Sequence, residues 1–369
     1  MTNTILAFMY VLFVTPIASG QEENCTMTNG SWLGEIEMGG TPFRLVFHIA
    51  ADGNETLTGT VNSPDKRIEG IPLSRVVSNR DSVVFEVSAA QAKYEGRYSS
   101  DTTSIEGVWR EGESTFPLIL TCTTEDVQLA DLPSAVNVNG VTLEVERESR
   151  HFTFFSTPGD RNVLEKIENV LENSYVRITT NLGTQFSDKI RVYVYPSIDL
   201  FHAGIYQPAA ADWLVGAAGI RELKIVTPLN PGSVHTYESI MQAVVHEFVH
   251  ASVMNLRGGR GLIGLPRWLN EGYAFHEADQ MTDGMREAAI VEYRSRNAPT
   301  WSELADPTAD EFANLNGYAL SATIVEFLLD SYGRQKLIHL LRTPEDIATI
   351  YGVPGTELER LWAEYLIEQ

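Results

Sequence analysis

Residues 26–124 alternate short apolar segments with turn-forming residues. Within each segment apolar and polar side chains alternate, which buries one face of a sheet and leaves the other in water. Turn signals such as Ser63-Pro64-Asp65 separate the segments. The spacing predicts an antiparallel barrel or sandwich. The predicted strands are residues 32–37, 44–49, 57–61, 83–87, 92–98, 104–109 and 116–121.

The pattern changes after residue 124. A polar stretch, residues 124–138, predicts a linker. Strand patterns follow it, and apolar residues then recur at the helical period of 3.6. The chain is therefore predicted to be a multidomain α+β protein, with the β-barrel or sandwich first and a domain of a small sheet plus helices after it. This second domain has predicted strands at 141–146, 152–156, 189–195 and 222–226, and predicted helices at 161–182, 239–256, 284–297, 310–329, 334–341 and 356–367.

The chain begins with an apolar run, residues 5–18, which is followed by small residues up to Gly20. This pattern predicts a signal peptide over residues 1–20, and therefore an exported protein that is secreted or periplasmic. The predicted domains are residues 21–128 and 129–369. Because the run is too short to cross a membrane comfortably, no membrane insertion is expected after signal cleavage. The first four residues carry no Lys or Arg, so an uncleaved anchor is the alternative.

Acidic residues outnumber basic ones along the 369-residue chain. There are 49 Asp and Glu against 27 Lys and Arg, which gives a formal net charge of −22 at pH 7. Nucleic acid and anionic lipid headgroups both need a basic surface, so the charge excludes these two classes of partner. The sequence gives no oligomeric state.

The only two cysteines are Cys25 and Cys122, and they bracket almost all of the predicted β-domain. In an exported protein, two cysteines most simply form one disulfide. We therefore expect a bond that ties the two ends of this domain together, and a pair of free thiols is the alternative.

The most informative motif is H-E-x-x-H, formed by His246, Glu247 and His250. Residues four apart lie on one face of a helix, so the two histidines can bind one metal ion, and imidazole nitrogens suit zinc. Glu247 is close enough to act as a general base on a water at the metal. Twenty residues separate His250 from Glu271, which is enough for a turn and a second helix beginning near Pro266. Glu271 is the predicted third ligand.

H-E-x-x-H followed by Asn270-Glu271-Gly272 resembles the gluzincin metallopeptidases, and the segment 266–272 is most similar to their peptidase-MA-like domains. The resemblance implies one Zn²⁺ held by His246, His250 and Glu271, with Glu247 as the catalytic base and a peptide or protein as the substrate. It also implies that Tyr318, near the start of a later helix, hydrogen-bonds the developing oxyanion. An ordinary half-buried aromatic is the alternative for Tyr318.

The gluzincin resemblance carries two further expectations. The strand before the zinc helix, residues 219–225, is expected to be an edge strand that pairs with extended substrate. Glu277 or Asp279 is expected to orient a zinc histidine, because Phe275 stands where thermolysin has an Asp. The G-x-M-x-N signature of related aminopeptidases is absent, so the sequence does not indicate an exopeptidase that binds the free amine of its substrate.

The β-domain resembles lipocalin-type barrels at Gly30-Ser31-Trp32. That resemblance implies a cavity for an apolar ligand, and a filled core that acts as a spacer is the alternative. His48 is expected to be a hydrogen-bonded histidine of the sheet. A different class of function also stays open, a non-catalytic binding protein with a structural or vestigial zinc site and a ligand-binding barrel. The presence of Glu247 favours the enzyme.

Overall fold

The computed structural model describes residues 25–368, apart from residues 27–28, 39–40, 53–55, 66–67, 89–91, 112–113, 129–133 and 296–297. The predicted signal peptide, residues 1–20, lies outside these described residues. In the described ranges, no helix has both the length and the apolar character needed to cross a membrane.

The first part of the fold is a curled antiparallel sheet. In the residues described, its strands are β1 (Gly30–Met38), β2 (Thr41–Ala51), β3 (Leu57–Ser63), β4 (Ile68–Pro72), β5 (Arg75–Ser78), β6 (Ser82–Val87), β7 (Ala92–Tyr98), β8 (Ser104–Glu111) and β9 (Ser114–Thr123). They pair in the order β4-β3-β2-β1-β9-β8-β7-β6-β5, so the first and last strands are neighbours at the centre. The sequence missed β4 and β5, which are short and lie between Gly, Pro and polar residues.

A disulfide joins the beginning and the end of the chain segment that forms this sheet, beside its two central strands. Cys25 and Cys122 are bonded, with their Cα atoms 5.7 Å apart, as the sequence predicted. Ser31, Trp32 and Leu33 of β1 pair with the end of β9, which brings the two cysteines together.

Aromatic side chains fill the buried face of the sheet. The ring of Phe47 lies 5.2 Å from that of Phe85 and 5.9 Å from that of Trp109. The buried Tyr94 hydroxyl donates to the carbonyl of Ile105 at 2.9 Å. These contacts agree with the filled-core alternative for this domain. His48 has hydrogen-bond partners on both ring nitrogens, as expected.

A second, mixed sheet begins the next part of the chain. Its strands are β10 (Ala135–Val138), β11 (Val141–Glu148), β12 (Phe152–Ser156), β13 (Ile190–Tyr195), β14 (Gly216–Gly219) and β15 (Glu222–Val226), in the order β10-β11-β12-β13-β15-β14. The central strands β12 and β13 are parallel and buried at every position, which explains their continuous apolar sequence.

Two expectations about this sheet were wrong. Residues 135–138 of the predicted linker form the edge strand β10. The predicted edge strand, residues 219–225, instead contains the last residue of β14, a two-residue turn and most of the internal strand β15. The edge on this side is β14, whose Gly and Ala residues have low strand propensity and gave no signal.

The helices pack on and beyond the second sheet. They are α1 (Arg161–Leu182), α2 (Ile198–Gly204), α3 (Tyr237–Arg257), α4 (Arg267–Glu277), α5 (Asp283–Arg294), α6 (Ala309–Asn314), α7 (Gly317–Tyr332), α8 (Arg334–Arg342), α9 (Ile347–Tyr351) and α10 (Gly355–Glu368). The single helix predicted at 310–329 is two helices. The chain breaks at Asn316, which has a left-handed conformation with φ 52°.

Helix α3 is at the centre of this second core. A capping box formed by Thr236 and Ser239 begins it. Phe248, on its inner face, packs against Phe152 of the sheet and Tyr175 of α1, with ring centroids 5.6 and 5.8 Å apart. This packing fixes the rotation of α3 about its axis, so the opposite face presents the H-E-x-x-H residues.

Candidate active site

His246 and His250 lie one turn apart on α3 and point to the same place. Their Nε2 atoms are 3.0 Å apart, and the two rings are nearly perpendicular, at 86°. The side chain of His246 is 11% exposed to solvent and that of His250 is 10% exposed. The pair is therefore enclosed by protein but open on one side.

Helix α4 brings Glu271 to the same point. Gly272, the next residue, lies against α7 so closely that a Cβ there would be 2.3 Å from the Ser321 carbonyl oxygen. This close approach of α4 to α7 holds the glutamate in place. Its Oε2 lies 3.2 Å from Nε2 of His246 and 3.4 Å from Nε2 of His250.

These three atoms fit a zinc ion. Zn²⁺ binds His and Glu atoms at about 2.0–2.2 Å in a tetrahedron, which requires ligand atoms about 3.3–3.5 Å apart. The observed separations of 3.0–3.4 Å are close to that spacing. Within the part of the chain that the structure describes, this is the one group of three such side chains that could hold a metal.

The charge state of the site also suits a cation. Burial alone would raise the pKa of Glu271. The charges of His250 and His246 and their hydrogen bonds to the carboxylate have a larger, opposite effect, so this pKa lies well below its ordinary value. The carboxylate is therefore ionised and available as a ligand at neutral pH.

Each histidine is oriented by an amide on its far side. Nδ1 of His246 donates to Oε1 of Gln280 at 2.7 Å, and Nδ1 of His250 donates to Oδ1 of Asn270 at 3.1 Å. Both contacts leave the Nε2 lone pair free to face a metal. The sequence did not identify either amide in this role.

The expected carboxylate partners are not used. Glu277 instead forms ion pairs with Arg177 and Arg334, and Asn181 donates to it at 3.2 Å. Asp279 uses its backbone, with its amide donating to the carbonyl of His276 and its carbonyl accepting from Gln242. The expectation that one of these two acids orients a zinc histidine was therefore wrong.

Glu247 lies beside these three side chains and against the edge strand β14. A Cβ at Gly216 would be 2.6 Å from its Oε1. Burial raises the pKa of Glu247 to about 7, although the nearby His246 opposes the shift. A carboxyl group with this pKa can both accept and release a proton near neutral pH.

The site opens into a cleft of about 660 Å³ that Tyr318 also lines. Tyr318 is the second residue of α7, and its ring packs edge-on against Phe312 at 5.0 Å. Burial raises its pKa, and the charges of Glu271 and Glu247 add to the effect. Its hydroxyl is therefore protonated at neutral pH and remains a donor. Arg267 lies on the same wall, with a guanidinium nitrogen 3.8 Å from Oε1 of Glu271.

The comparisons with known proteins agree with this geometry. The family model of the Peptidase MA superfamily matches residues 171–368, more than half of the chain. The match includes α3, α4 and α7, which carry His246, Glu247, His250, Glu271 and Tyr318, and excludes the curled β-sheet. No curated protein matches the chain.

Proposed function

Because this chain belongs to the Peptidase MA superfamily, we propose that it is an exported zinc-dependent metallopeptidase that hydrolyses peptide bonds in peptide or protein substrates. The observation that carries the proposal is the convergence of His246, His250 and Glu271 at zinc-ligand spacing, with Glu247 beside them. The disulfide supports export, because such bonds persist in oxidising compartments.

The ligand atoms for zinc would be Nε2 of His246, Nε2 of His250 and a carboxylate oxygen of Glu271. When bound there, zinc supplies a Lewis acid that polarises a carbonyl and makes a water more acidic. Glu247 takes a proton from the attacking water and then delivers it to the leaving amine. The raised pKa of Glu247, about 7, suits both transfers.

Two elements of the cleft complete the proposed mechanism. The hydroxyl of Tyr318 donates a hydrogen bond to the oxygen that becomes negative as the carbonyl is attacked. The backbone of β14 pairs with an extended substrate, because β14 is an edge strand and borders the cleft through Gly216 and Ala218. Together these contacts hold the scissile bond next to Glu247.

The test is hydrolysis of a peptide library by the wild-type protein and by Glu247→Gln. The variant keeps the ligands, so we expect full zinc content and a loss of kcat of at least about 10²-fold. Glu238→Gln, on the exposed side of the same helix, is the matched control and should keep full activity. Zinc binding without hydrolysis by the wild type would instead favour a non-catalytic binding protein.

A further inference from the structure

The residue Gln280 lies beyond the end of α4, yet it returns to the metal site. Helix α4 ends in a Schellman motif, in which the amide of Gln280 donates to the carbonyl of Phe275 at 3.1 Å and that of Asp279 donates to His276 at 3.2 Å. Asp279 has φ 52°, the left-handed conformation that this motif requires. The motif reverses the chain and directs Gln280 back toward α3.

Two further contacts fix this reversed turn. The side chain of Gln242, on α3, donates to the Asp279 carbonyl at 3.0 Å. Arg177, on α1, donates to the Glu277 carbonyl at 2.7 Å. The turn is therefore tied to α1 and α3, so the position of Gln280 does not depend on α4 alone.

The carboxylate of Glu277, at the end of α4, is not available to orient His246. The Glu277 side chain is 2% exposed and is already paired with both Arg177 and Arg334. The acceptor at Nδ1 of His246 is therefore the uncharged amide oxygen of Gln280, at 2.7 Å. An amide oxygen accepts the hydrogen bond from Nδ1 less strongly than a carboxylate does. The imidazole is therefore less basic, and His246 is a weaker metal ligand with this partner.

We propose that Gln280 is the positioning residue for His246, which it holds with Nδ1 protonated and Nε2 free, and that its neutral amide keeps the metal affinity below the value a carboxylate would give. The inference rests on the metal site of the proposed function and not on peptide hydrolysis. It assigns Gln280 a role in orienting a ligand and none in touching substrate.

The first test needs no metal. Long-range ¹H–¹⁵N spectra of the histidine rings, at about pH 8 where ordinary imidazoles are neutral, report the tautomer. They are recorded on the full metal-free Glu271→Ala chain, because this substitution removes the carboxylate that lies 3.2 Å from Nε2 of His246. We expect His246 to carry its proton on Nδ1 in this background and to lose this preference when Gln280→Leu is added. A proton on Nε2 in Glu271→Ala alone, or an unchanged tautomer after Gln280→Leu is added, would overturn the proposal.

The second test is zinc affinity, measured by competition with a chelator. Gln280→Leu should weaken affinity by about 10- to 100-fold, and Gln280→Glu should strengthen it by about 10-fold. Gln335→Leu, at an exposed position of α8, is the matched control and should change nothing. If Gln280 only supported the fold, both substitutions would weaken zinc affinity, and that result would contradict the proposal.

A backbone change provides an independent check. Asp279→Val places a β-branched residue at positive φ and should displace Gln280, with the same loss of zinc affinity as Gln280→Leu. Asp279→Gly fits the left-handed conformation and should keep wild-type affinity. Urea unfolding of the metal-free variants gives the free energy of unfolding of each one, and so shows whether a substitution changes only the turn or destabilises the whole fold. Equal affinities for Asp279→Val and Asp279→Gly would contradict the role of the turn.

Discussion

Gly216 of the edge strand β14 lies directly against the carboxylate of Glu247, at a distance that leaves no room for a side chain. A Cβ added at this glycine would be 2.6 Å from Oε1 of the glutamate, closer than real Cβ contacts occur. The proposed substrate-pairing strand and the proposed catalytic base are therefore in contact, and the position of one restricts the other.

Gly216→Ala should therefore displace the Glu247 carboxylate without changing the metal ligands. We expect kcat/KM to fall by about 10- to 100-fold, because small errors in the placement of a catalytic group have effects of this size. Gly219→Ala, at the other end of β14, is the matched control, since its Cβ would have an ordinary 3.5 Å contact. Steady-state kinetics measures kcat/KM, and zinc content measured in parallel shows whether the metal site is unchanged. Equal activity of the two variants would contradict the prediction.

Tyr318→Phe removes the hydroxyl that we assign to the developing oxyanion and keeps the ring that packs on Phe312. We expect kcat to fall by about 10²- to 10³-fold while KM and zinc content stay near wild type. Tyr332→Phe, at the far end of the same helix, is the control. If kcat is unchanged in Tyr318→Phe, the tyrosine is an ordinary aromatic of the cleft wall.

The metal-free protein should lose stability as the pH rises toward neutrality, because of Glu247. Its pKa is raised by burial from 4.5 to about 7 in the folded state. A raised carboxyl pKa contributes stability that is present below pH 4.5, its unfolded value, and is lost as the pH rises through about 7.

Glu247→Gln removes this titration. At about pH 8 the metal-free variant should be more stable than the wild type by up to about 3 kcal/mol, with a smaller difference near pH 5. Urea unfolding of both proteins in a chelator checks the prediction, since the other ionisable groups contribute almost equally to each. A difference that does not grow between these two pH values would show that Glu247 is not buried as described.

The three side chains of the proposed metal site were predictable because a motif carries them. Spacing on a helix placed His246 and His250 on one face, and twenty intervening residues allowed Glu271 to return from a second helix. The strands and helices with clear apolar periodicity were also predicted well. The bounds of α1 (Arg161–Leu182) and β15 (Glu222–Val226) were correct to the residue.

The remaining parts depend on tertiary contacts that leave no local signal. Gln280 reaches His246 only because Asp279 adopts a left-handed conformation, and no glycine marks that position. The edge strand β14 is short and made of Gly and Ala, so its pairing with β15 decides its conformation. The break between α6 and α7 lies at Asn316, inside a sequence that has continuous helical periodicity.

The central claim is that His246, His250 and Glu271 hold one zinc ion. The most direct test is the zinc content of the purified protein, measured by elemental mass spectrometry for the wild type, His246→Ala and His339→Ala. His339 is exposed on α8, so its variant controls for nonspecific histidine binding. We predict about one zinc per chain in the wild type and in His339→Ala, and almost none in His246→Ala. Absence of zinc from the wild type after reconstitution, or equal zinc in all three proteins, would contradict the metal site and the enzyme built on it.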